Sequence, residues 1–284
     1  MDAHTPVVGN FGYTLDNGKP TDLYFYDAPP GTVGNPPMPE TRDMPVEDVR
    51  GQDLSLDVEG VQFLQTPIPA PTFGIDDGVH ETYYPAVEAF VAEAVGAREV
   101  RAFDHNFRST GFKDYLESDA PSKSDVATPG TFTVRPTAAR AHIDYTEISG
   151  PQRVRELMPG DRADDLLSRR YAFINLWRPL THVVEESPLA LCDARSTGPD
   201  DFILNYNHYA DRVGEIYMLR HNPEHRWIYF SRMSPDEAML IKCFDSETDG
   251  RARFTPHCAF VDPRTTPDTP RRESIEVRTV AFFD

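Results

Sequence analysis

From residue 171 to the C-terminus the chain reads almost entirely as strand. Seven runs rich in β-branched and aromatic residues follow one another with short polar breaks: 171–177, 189–194, 214–219, 226–233, 239–245, 254–261 and 274–283. A helical layer precedes them. Residues 80–95 place Tyr84, Val87, Phe90, Val91, Ala94 and Val95 at helical spacing and stop at Gly96. A second helical region, 153–169, is broken by Pro159-Gly160. Helices followed by so many strands predict an antiparallel β-sandwich or squashed barrel flanked by helices.

The rest of the N-terminal part is less regular. Residues 23–26 form a short strand and 99–107 a longer one. Prolines crowd residues 28–46, which predicts an ordered loop or arm and excludes a central strand there. Alternation over 53–65 predicts a hairpin turning at Glu59-Gly60. Asn222-Pro223-Glu224 reads as another hairpin turn, Ser234 to Glu237 as a short turn, and residues 122–136 as a linker. The expectation is a single domain over 1–284, with an arm, helix and outer strands in 1–130 and a metal-binding β-core in 131–284.

Composition narrows the partners. Acidic residues outnumber basic ones 46 to 28, for a formal charge of -18. Such a surface repels nucleic-acid phosphates and anionic membranes, so neither is an expected partner. Cys192, Cys243 and Cys258 lie in apolar runs, form no zinc spacing, and suit a reducing compartment. The first residues lack the basic and apolar regions of a secretory signal, and no run approaches a membrane span. A cytoplasmic location is expected; a homodimer is left open.

The chemistry concentrates at His142-Ile-Asp144. On a strand both side chains reach the same face, since side chains repeat every second residue. A later histidine, His257, can complete a two-histidine, one-carboxylate set, the ligand pattern of non-haem Fe(II) oxygenases. His-x-Asp alone describes a polar strand surface equally well. Three features favour the metal: strand-type flanks, a separation from His257 that admits several strands, and Arg272-Glu-Ser274 shortly after His257. A guanidinium and a hydroxyl there can take the distal carboxylate of 2-oxoglutarate. Arg278 lies on the same face of the same strand and is a rival.

Asn175, Trp177 and Arg178 allow two readings: a substrate-pocket wall, or core packing with a salt bridge from Arg178 to Asp193 or Glu185. Tyr145 and Thr146 adjoin the ligands and can touch substrate. His221 and His225 have helical metal spacing, but Pro223 between them argues for an exposed turn. His105 can line a pocket, although packing is the plainer reading; His182 and His208 read as structural or surface residues.

Several segments occur together in one family: His142-Ile-Asp-Tyr-Thr146, Arg170-Tyr-Ala-Phe-Ile-Asn-Leu-Trp-Arg-Pro179, Ser187-Pro-Leu-Ala-Leu-Cys-Asp193, Ile241-Lys-Cys-Phe-Asp-Ser246, Asp249-Gly-Arg-Ala-Arg-Phe-Thr-Pro-His257 and Arg272-Glu-Ser-Ile-Glu-Val-Arg278. The chain thereby resembles the CmcJ/AsaB-like hydroxylase/desaturase family, strongly over residues 130–284. The resemblance implies a mainly β fold with a double-stranded β-helix (jelly-roll, cupin-like) core, and Fe(II) on His142, Asp144 and His257. It also implies 2-oxoglutarate and O2 as co-substrates. Hydroxylation, desaturation or oxidative ring formation in secondary metabolism all fall within it. The competing readings are a cupin-like metalloenzyme without 2-oxoglutarate and a non-catalytic β-sandwich binding protein.

Overall fold

The strand-type runs pair into two sheets that share one inner core. The computed structural model describes residues 7–27, 31–75, 77–111 and 134–284. The strands are β1 (Val7–Thr14), β2 (Thr21–Tyr24), β3 (Pro39–Asp48), β4 (Val61–Gln65), β5 (Glu99–Ser109), β6 (Val134–Pro136), β7 (His142–Ile143), β8 (Tyr171–Pro179), β9 (Leu189–Cys192), β10 (Phe202–His208), β11 (Val213–Leu219), β12 (Trp227–Tyr229), β13 (Glu237–Asp245), β14 (His257–Ala259) and β15 (Glu273–Phe282). The α-helices are α1 (Tyr84–Val95), α2 (Ser149–Leu157) and α3 (Gly160–Leu167). One sheet has nine strands, ordered β1-β3-β12-β9-β14-β7-β11-β10-β2; the other has six, ordered β4-β13-β8-β15-β5-β6. This is a double-stranded β-helix with flanking helices.

Every residue of β8 and β13 is buried, because both faces of the six-stranded sheet are covered. Phe173, Trp177, Met239, Ile241 and Val280 meet Leu189, Leu191 and Ile228 of the nine-stranded sheet. On the opposite face Ile174, Leu176, Leu240 and Val277 lie under Tyr84, Val87 and Val91 of α1. Val154 and Leu166 bring α2 and α3 onto the inner core.

The structure corrects four expectations. The proline-rich stretch does supply an interior strand, β3, paired with both β1 and β12. Pro39 opens that strand, and Pro45 pairs only with Val8 because the β12 pairing begins at Val46, so neither ring removes a needed donor. Residues 53–60 are turns rather than a hairpin arm, and Gly60, at φ 85°, enters β4 directly. Asn222 to Glu224 do turn, but β11 and β12 are not neighbours in the sheet. His225 is buried, not exposed, and stacks on Tyr13. The strands β1 and β10 have no counterpart among the expected runs. Residues 122–133 of the expected linker lie outside the described residues, and its last three form β6 rather than linker.

Candidate metal centre

His142 and His257 are cross-strand partners on β7 and β14, and the other neighbour of His257 is Leu191 of the inner core. Both imidazoles therefore face the space between the sheets, with ring centroids 4.7 Å apart. The strand expected around His142 shrinks to two residues, and Asp144 follows it in a bend. The convergence survives: Asp144 Oδ1 lies 3.8 Å from His142 Nε2. Ligand atoms of His142, Asp144 and His257 all lie within 4.8 Å of one another.

Local backbone fixes the imidazoles. Nδ1 of His142 donates to the Arg140 carbonyl at 2.8 Å, and Nδ1 of His257 to the Thr255 carbonyl at 3.0 Å. A carbonyl can only accept, so the Nδ1 atoms carry the protons and both Nε2 lone pairs point at the shared space. Burial and the neighbouring His257 push His142 down to about 4, leaving it neutral. Burial alone would raise Asp144, yet Arg278 and the two imidazoles hold it well below the usual carboxylate range. His257 Nε2 is buried with no hydrogen-bond partner, an orphan that a cation would satisfy. Two imidazole nitrogens and one carboxylate suit Fe(II).

The six-stranded sheet supplies the opposite wall. Asn175 and Arg278 are register partners on β8 and β15. Asn175 Nδ2 donates to Asp144 Oδ2 at 2.7 Å and to Glu276 Oε1 at 2.6 Å. Arg278 reaches Asp144 Oδ1 at 3.3 Å and Asp104 Oδ2 at 2.7 Å. These partners orient the carboxylate without occupying the face toward the histidines.

Known proteins share this framework. An oxidoreductase family model, described as an Oxidoreductase/YMDC permease-like domain, matches residues 10–282. The hydroxylase/desaturase efuI of Hormonema carpetanum is 34% identical over 268 residues, covering 89% of this chain and 88% of that protein. The chain belongs to the hydroxylase/desaturase family. A relative named alpha-ketoglutarate-dependent dioxygenase phiK, from a fungal species, is 29% identical over 86% of this chain and 85% of its own length. The iron and alpha-ketoglutarate-dependent endoperoxidase NvfI superposes with a TM-score of 0.81 at 26% identity, over 97% of both chains.

In this hydroxylase/desaturase Arg272 lies 5.6 Å above the Trp177 ring, and its Nη1 donates to the Ser187 carbonyl. Ser187 adopts φ 45°, a costly conformation for a non-glycine residue. The Arg272 Nε and the Ser274 hydroxyl are buried with no partner. Burial and the charge of Arg108 push Arg272 down to about 9. Arg178 makes no salt bridge among the described residues; it donates to the carbonyls of Ile68 and Pro235, while Asp193 pairs with Arg195 and Arg226, and Glu185 with Arg232. Tyr145 stacks on Phe173 at 4.0 Å, and the Thr146 hydroxyl accepts from the amides of Ile148 and Ser149 at the start of α2. His105 pairs with Tyr84. Arg108, Arg135 and Glu276, absent from the sequence reading, also belong to this interior.

Proposed function

We propose that this hydroxylase/desaturase holds Fe(II) on His142, Asp144 and His257, takes 2-oxoglutarate and O2 as co-substrates, and oxidises an unactivated C–H bond of a small molecule. The outcome is hydroxylation, desaturation or oxidative ring formation. The observation that carries this reading is the convergence of three ligand atoms within 4.8 Å, two of them imidazole lone pairs aimed by backbone carbonyls. The names of phiK and NvfI, both dependent on alpha-ketoglutarate, agree with it.

Bound iron and its co-substrate supply the oxidising chemistry; the chain supplies placement. Asn175 and Arg278 fix the Asp144 carboxylate. Arg272 and Ser274, each with an orphan polar atom, are suited to hold the distal carboxylate of 2-oxoglutarate, with Trp177 fixing the plane of the guanidinium. Tyr145 and Trp177 keep the space between the sheets apolar and dry, which confines oxidation to the positioned substrate.

The test is anaerobic reconstitution with Fe(II), followed by the visible absorption that develops when 2-oxoglutarate chelates the ion. The band is expected in the wild type and absent in His257→Ala. Metal binding without the band would favour a cupin-like enzyme that needs no 2-oxoglutarate; no metal binding would return the chain to a binding protein.

A further inference from the structure

The inner face of the six-stranded sheet carries two neighbouring arginines that the metal centre does not use. Ser274 on β15 pairs with Arg108 on β5, and Arg108 pairs with Arg135 on β6. The residues before them, Phe107 and Val134, lie in the core under α1. Arg108 and Arg135 therefore project from the other face, the one that carries Arg278 and Glu276 toward the metal centre.

Neither arginine makes an ion pair among the described residues. Arg108 Nη1 donates to the Pro136 carbonyl at 2.8 Å, and its Nε is buried with no partner among the described residues. Burial and neighbouring arginines hold both guanidiniums below the usual arginine range, and Glu276 offsets only part of this at Arg108. Arg278, by contrast, has Asp144 and Asp104. The carboxylates of this face are engaged elsewhere: Asp144 and Asp104 with Arg278, and Glu276 with Asn175. Adjacent guanidiniums with donors left over by the protein call for an anion.

We infer that Arg108 and Arg135 form an anion-holding pair for the primary substrate, which is then a small molecule bearing a carboxylate or similar oxyanion near the C–H bond to be oxidised. Two guanidiniums on adjacent strands, roughly 5 Å apart at the backbone, can together donate to one carboxylate. The inference rests on the iron and 2-oxoglutarate reading above. The same chemistry has a second source, a carboxylate of the co-substrate itself, and the experiment separates the two.

Protein loaded anaerobically with Fe(II) and saturating 2-oxoglutarate is titrated by calorimetry with benzoate, hexanoate and the corresponding amides. At least one acid is expected to bind while its amide does not. Arg108→Gln and Arg135→Gln should each weaken that acid about tenfold or more and leave 2-oxoglutarate affinity within about threefold. Arg135→Lys, which keeps the charge, should retain part of the binding and shows that the loss is not misfolding. If the loaded wild type takes neither acid, or if Arg135→Gln binds it as well as wild type, the inference fails. A tenfold loss of 2-oxoglutarate affinity in Arg108→Gln assigns the pair to the co-substrate and also overturns it. If the Fe(II)-loaded wild type does not bind 2-oxoglutarate at all, the earlier reading fails and takes this one with it.

Discussion

Lys242 and Arg108 are both cations folded into the six-stranded sheet, and the protein treats them in opposite ways. Lys242, 1% exposed, bonds Asp57 and Asp245, the latter at 2.9 Å. Arg170 reaches the same Asp245 at 2.8 Å, and Arg251 reaches Asp57 at 3.2 Å. That network closes on itself. On the opposite face of the sheet, Arg108 and Arg272 find only backbone carbonyls among the described residues, and each leaves its Nε unbonded there. A buried charge answered by carboxylates is structural; one left unanswered costs stability that only a ligand can return. The contrast separates scaffold from site without reference to any relative.

The largest effect should come from the one carboxylate shared by the ligand set and the arginine face. Asp144→Ala should reduce iron-dependent succinate release to background while circular dichroism stays that of the folded wild type. Full succinate production by this variant would refute the ligand assignment. Next is the closed network. Asp245→Ala strips Lys242 and Arg170 of their shared partner and should cost about 3–5 kcal/mol in urea unfolding, with 2-oxoglutarate affinity unchanged. A loss below about 1 kcal/mol would mean that the network is no more structural than a surface pair.

Arg272→Met tests the other side of the contrast. It removes a cation that has no carboxylate partner, so stability should hold or rise, as when buried charges are replaced by apolar groups of similar volume. Affinity for 2-oxoglutarate should fall about 10- to 100-fold, the worth of a hydrogen bond to a charged group, with iron binding retained. An unchanged co-substrate requirement would point to Arg278 instead.

The two halves of the site differed in how readable they were. His142 and Asp144 are two residues apart, so their side chains stay close even though the strand ends at Ile143 and Asp144 lies in a bend. His257 joined them through its distance along a β-rich chain. Asn175 was visible as a polar residue in an apolar strand, but its bonds to Asp144 and Glu276 depend on the β8–β15 register. Arg108 and Arg135 gave no local signal. They flank residues 112–133, and only the parallel pairing of β5 with β6 makes them neighbours. The interior strand β3 was missed for a related reason: a proline is excluded from a strand only where a partner needs its N–H, and that depends on where β12 begins.

The smallest effect distinguishes the two regions by pH. In the metal-free protein burial and the neighbouring His257 push His142 down from its ordinary 6.5 to about 4. Between those values the unfolded chain binds a proton that the folded chain refuses, so stability must fall as pH drops through this window, by at most about 1.4 kcal/mol per pH unit. The closed network behaves differently. Burial raises the Asp57 carboxyl, but Lys242 and the nearby arginines outweigh this and hold it below its ordinary 3.8. Its contribution is therefore complete above that value and is lost only at lower pH. Urea midpoints of the metal-free protein should thus slope between pH 6.5 and 4 in the wild type and slope less steeply in His142→Gln, where His225, also lowered by burial, still contributes. An identical slope in the variant would move the proton to another group and remove the evidence that this imidazole is held neutral, ready to ligate.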